Sequence, residues 1–78
     1  MMIRKLIEKE EWNFYIYDVG DSLEVSVPIG SPAPGFDVIH ILTEREKQQY
    51  QIEGKISLAD RIQDMKDNSR KYKLISWR

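Results

Sequence analysis

Apolar and polar residues alternate along two neighbouring stretches, Trp12–Val19 and Ser22–Ile29, with Gly20-Asp21 between them. Strict alternation marks a strand that buries one face. Folding the stretches together about Gly20-Asp21 sets Trp12, Phe14 and Ile16 opposite Ile29, Val27 and Val25, with Asp18 opposite Leu23 on the next rung. A two-residue connection with Gly at its first central position is the type II′ pattern, whose twist suits a β-hairpin. Successive side chains on a strand point to opposite faces, so this register gathers those apolar groups on one side. Tyr15 and Tyr17 fall on the other. The core-facing side is thus defined by the hairpin alone.

The remaining elements follow from the same kind of pattern. Residues 2–8 fit a short strand or a helical turn, because Ile3 and Ile7 satisfy both periods; an edge strand is expected. Gly30-Ser-Pro-Ala-Pro-Gly35 is a loop, two prolines framed by two glycines. Phe36–Leu42 reads as a further strand with apolar residues on both faces, as in a central strand or one covered by helices. Thr43-Glu-Arg-Glu46 has the capping-box spacing, which predicts a polar helix from Glu44 to about Glu53, ended by Gly54. Ser57 is expected to cap a second helix whose Leu58, Ile62 and Met65 recur at i, i+4 and i+7, ending near Asn68. Arg70–Arg78 is expected to close the chain as a strand, paired inside the sheet or at its edge.

The expected order is β-β-β-β-α-α-β in a single domain, residues 1–78. Strands grouped before helices indicate α+β: a small antiparallel sheet of three to five strands with two helices on the face of Trp12, Phe14, Ile16, Val25 and Val27. At 78 residues the stability is expected to be marginal, and self-association is a natural way to bury more surface.

Charge changes this picture little. Twelve basic against thirteen acidic residues leave a net charge of −1 and no general field for nucleic acid or membrane. The distribution is uneven, −4 over residues 1–39 and +3 over 40–78, but interleaved halves of a small fold average it away. With no cysteine there is neither a disulfide framework nor a thiolate metal site. No apolar run suited to a leader follows the charged residues 4–11, and none is long enough to span a bilayer. A cytoplasmic protein is expected.

Candidate chemistry is sparse. His40, the single histidine, falls on the side of Phe36, Val38 and Leu42; Asp37 points away from it and Glu44 lies beyond the strand, so no partner carboxylate is evident. The serines lack a nucleophile context, the acidic residues lack a calcium-loop spacing, and the Pro-rich loop lacks the donors of a phosphate cradle. No catalytic residue, metal or cofactor is expected. The C-terminal Arg70-Lys-Tyr-Lys-Leu-Ile-Ser-Trp-Arg78 mixes bases with Tyr72 and Trp77, as surfaces for single-stranded nucleic acid do. A sequence pI near 5.8 and the absence of a recognised motif weigh against that use. Tyr15, Tyr17, Tyr72 and Trp77 are the candidate interaction surface, since half-exposed aromatic side chains bury much area at little entropic cost.

The expected function is therefore non-enzymatic: a protein-interaction domain binding a partner protein or itself, of the kind that serves as a stoichiometric inhibitor or immunity protein. The alternative is weak nucleic-acid binding through the basic, aromatic C-terminal strand.

Overall fold

The computed structural model describes residues 4–11, 13–29 and 36–76. Trp12, the Gly30–Gly35 loop and Trp77 lie outside them. The described chain forms a five-stranded antiparallel meander, β1 (Lys5–Glu10), β2 (Phe14–Asp18), β3 (Leu23–Ile29), β4 (Phe36–Ile41) and β5 (Lys73–Ser76), in the spatial order β1-β2-β3-β4-β5. A helical run joins β4 to β5: α1 (Glu44–Glu53), a 3-10 turn (Gly54–Leu58) and α2 (Ala59–Asp67). A second 3-10 turn, Ser69–Lys71, leads into β5. This is the expected α+β architecture; the first edge strand covers residues 5–10 against the expected 2–8, Met2 and Ile3 lying outside the described residues, and the last strand forms the opposite edge.

The hairpin has the register that the alternation predicts. Ile16 pairs with Val25, Tyr15 with Ser26 and Asp18 with Leu23. The Val19 N–H donates to the Ser22 carbonyl at 3.1 Å across Gly20-Asp21, and Gly20 adopts φ +102°. That left-handed backbone is nearly free for glycine and strained for other residues. Phe14, Ile16, Leu23, Val25, Val27 and Val38 all face one side, where Leu42, Leu58, Ile62 and Met65 close over them. Ile16, Val25, Val27, Val38 and Met65 are wholly buried. Full burial of an aliphatic side chain contributes roughly 1.5–3 kcal/mol, so this cluster supplies most of the stabilising apolar contact.

Two registers differ across β1. Leu6 pairs with Tyr17, whereas Glu8 pairs with Ile16, leaving Ile7 as the extra residue of a β-bulge. The bulge switches the alternation, so Leu6 lies on the tyrosine face while Glu8 and Glu10 lie on the helical face.

Thr43 caps α1 through a complete capping box. Its Oγ1 accepts from the Glu46 N–H at 3.2 Å, and Glu46 Oε1 accepts from the Thr43 N–H at 2.9 Å. Gly54, at φ +79°, ends α1 as expected. Ser57 does not cap the second helix. The 3-10 turn occupies that position, Leu58 is the residue preceding α2, and the Ser57 hydroxyl donates back to the Gly54 carbonyl at 2.9 Å. The final strand is also shorter than Arg70–Arg78. The Lys71 and Tyr72 N–H groups are used by the Asn68 and Ser69 carbonyls, which turn the chain from α2 towards the sheet edge.

Substitution of Gly20 by Val is expected to lower stability by about 1–2 kcal/mol through backbone strain alone, because a Cβ there meets nothing within 4 Å. Met65→Ala is expected to cost about 2–5 kcal/mol by opening a cavity. Urea unfolding measures both. An unchanged midpoint for the Gly20 variant would contradict the assigned turn.

Candidate functional site

Two groups of side chains stand out, one on each side of the sheet. The pairing parity places Leu6 and Lys9 of β1, Tyr15 and Tyr17 of β2, Glu24 and Ser26 of β3, Asp37, Ile39 and Ile41 of β4, and Lys73 and Ile75 of β5 on the outer side. The described helices all pack on the other side. Leu6 and Ile41 are 43% and 46% exposed, and Tyr15, Tyr17, Ile39 and Ile75 are half-buried.

Polar groups on this outer face are tied to one another. Ser26, fully buried among larger neighbours, donates its hydroxyl to Asp37 Oδ2 at 2.6 Å. Arg4 donates through Nε and Nη2 to Glu24 Oε1 at 3.1 and 2.9 Å, and its guanidinium lies 3.8 Å from the centre of the Tyr17 ring. Stacking of a cation on the ring together with an ion pair holds Tyr17 in one orientation. The result is an apolar and aromatic surface with its carboxylates already satisfied.

The helical side carries a chain of polar contacts centred on Glu46. Besides closing the helix cap, Glu46 Oε1 accepts from His40 Nε2 at 2.8 Å, and Oε2 accepts from Arg61 Nε at 2.8 Å. A carboxylate only accepts, so Nε2 carries a proton. Arg61 Nη1 donates at 3.0 Å to the Tyr72 hydroxyl, which in turn donates to Asp64 Oδ2. Asp64 also accepts from Asn68 and pairs with Lys71 at 3.1 Å. His40 meets the Tyr72 ring edge-on, centroids 5.8 Å apart at 88°. Burial raises the Glu46 pKa, but the Thr43 N–H, His40 and Arg61 outweigh it and bring the carboxyl to about 2. Asp64 is likewise brought to about 2, by the Tyr72 hydroxyl, Asn68 and Lys71.

The four candidate aromatic residues therefore do not form one surface. Tyr15 and Tyr17 share the outer face. Tyr72 lies on the helical side, committed to Asp64 and Arg61. Trp77 is outside the described residues. The basic stretch is divided too, since Lys71 is paired with Asp64 while Lys73 lies on the outer face. Sequence reading weighed Asp37 and Glu44 as partners for His40 and missed Glu46, whose capping-box position was its only legible signal. Nothing in the linear chain signals Arg61, fifteen residues further on.

A shallow groove of about 360 Å³ runs between β2 and the helical layer over Phe14, Ile56, Ala59 and Ile62, with Lys55 and Lys66 beside it. Among the described residues no three His, Cys, Asp or Glu side chains are grouped as metal ligands. No described helix is long and apolar enough to cross a membrane. Comparison of the chain with known protein families, curated proteins and solved structures finds no match.

Glu46 and Asp64 bind fewer protons folded than unfolded, because their folded pKa values lie below the ordinary carboxylate values of 4.5 and 3.8. Their contribution is complete above about pH 5 and is lost as pH falls towards about 2, with Glu46 accounting for on the order of 2–3 kcal/mol. Urea midpoints are expected to be level from neutrality down to about pH 5 and then to drop. Glu46→Gln should lower the neutral midpoint and flatten the acid limb; an unaltered acid limb would contradict the assignment.

Proposed function

We propose that the protein is a small non-enzymatic binding domain that docks a partner protein on the outer face of its sheet. The observation that carries this reading is the composition of that face: Tyr15, Tyr17, Leu6, Ile39, Ile41 and Ile75 share one side, flanking Glu24 and Ser26 of β3, with no described helix packed over them. A face rich in aromatic and aliphatic groups with lysines at its margins resembles protein interfaces, which are enriched in aromatic residues and depleted of lysine. Here Lys9 and Lys73 sit on the two edge strands, Glu24 is paired with Arg4, and Asp37 accepts a hydrogen bond from Ser26. Both carboxylates are already largely shielded from water, Glu24 at 6% and Asp37 at 9% exposure, so docking there adds little to their desolvation cost.

A stoichiometric inhibitor or immunity protein works through such a surface, by occupying a target without chemistry. The alternative reading, nucleic-acid binding by the C-terminal strand, draws less support. Its stacking platform would need Tyr72, whose hydroxyl and ring are engaged by Asp64, Arg61 and His40.

Immobilised protein and an extract of the native host test the proposal. A specific partner should be retained by the unaltered chain and by Ile52→Lys, a change at an exposed helical position on the opposite side. Tyr15→Ala and Ile41→Lys should each weaken retention by about tenfold or more, as for central interface residues. Equal retention by all four proteins, or no partner at any, would count against the outer face.

A further inference from the structure

We infer that the free edge of β5 pairs with β5 of a second copy, joining two sheets into one continuous ten-stranded sheet through an antiparallel two-fold contact. This contact is separate from the outer face and stands independently of the proposed function.

The two edges of the sheet are built differently. β1 carries Lys5, Glu8, Lys9 and Glu10 within six residues and is interrupted by the bulge at Ile7. Charges, lysine above all, bulges and short length are the usual devices that stop an edge from recruiting another strand. β5 has four residues, Lys-Leu-Ile-Ser, with one charge and no register shift against β4. One of its edges pairs with β4; no described residue pairs with the other. Leu74 faces the helical side, opposite Val38, yet is 52% exposed, because the core cluster does not extend over it.

Symmetry narrows the register. Antiparallel pairing of identical strands places a two-fold axis perpendicular to the sheet, so each residue must meet one of its own face. Centring the axis on Lys73 would oppose two ammonium groups, which is destabilising. Centring it on Ile75 would leave Leu74 against Ser76. Centring it on Leu74 sets Leu74 against its copy on the helical face and lays each Lys73 stem across Ile75 of the other chain on the outer face. Of these three registers, only the one centred on Leu74 sets the exposed Leu74 against an apolar group and opposes no like charges. The single lysine that would otherwise protect a short edge is then used as cover, its ammonium remaining in water.

The absence of cysteine makes the test direct, since Leu74→Cys introduces a single thiol. Opposed residues at the two-fold axis have Cα atoms about 4.5–5.5 Å apart, within the roughly 4.4–6.8 Å that a disulfide spans. Mild oxidation of the full chain should convert Leu74→Cys to a covalent dimer about tenfold or more faster than Lys9→Cys on the other edge, because pairing raises the effective thiol concentration. Light scattering should give a dimer mass for the unaltered chain and a monomer mass for Leu74→Lys, with the same circular dichroism spectrum. Equal cross-linking rates for the two cysteine variants, a monomer mass for the unaltered chain at high concentration, or a dimer that survives Leu74→Lys would each overturn the inference.

Discussion

One carboxylate ties α1 to the sheet and to α2. Glu46 sits in the first turn of α1, and its two oxygens reach the backbone of its own cap, the imidazole of β4 and the guanidinium of α2. This matters because α1 buries no residue of its own. A polar ten-residue helix is marginal by itself, and most helices in proteins are stabilised by an apolar face. Here α1 is instead fastened by charge-assisted hydrogen bonds, which are stronger than neutral ones when they are shielded from water. Tyr50 packs its ring against the core and donates to Glu8 of β1, and Lys47 donates to the Asp21 carbonyl of the hairpin turn.

The consequence for function is a division of labour between the two sides of one sheet. The apolar contacts of α2 and the polar contacts of Glu46 secure the helical side, and Arg61, Tyr72 and Asp64 extend the same network to the approach of β5. His40 belongs to that network through its hydrogen bond to Glu46 and its edge-on contact with the Tyr72 ring. The outer face keeps its aromatic and aliphatic residues uncovered by the described helices, with its carboxylates paired internally. The proposed recognition through that face needs no rearrangement of the described helices, and rigid surfaces lose less entropy on binding.

The local and periodic features of the fold were legible in the chain. Alternation and a Gly-Asp turn are short-range signals, and they gave the hairpin register from Asp18–Leu23 to Tyr15–Ser26. The capping box and Gly54 marked both ends of α1 for the same reason. Ser57 misled because a serine three residues before a carboxylate looks like a cap, whereas the chain tightened into a 3-10 turn and used that hydroxyl on Gly54. The Glu46 network was invisible because its members come from β4, α1 and α2, and a hydrogen bond across fifteen residues leaves no periodic trace. Tyr72 was grouped with Tyr15 and Tyr17 on chemistry alone; position in the fold put it on the other side.

Amide hydrogen exchange in a Glu46→Ala variant tests the central claim most directly, since it reads the stability of each element separately. If Glu46 fastens α1, amides of residues 48–53 lose protection while those of residues 14–17 and 24–27 keep theirs. Unchanged protection in α1, or an equal loss across helix and sheet, would contradict the account.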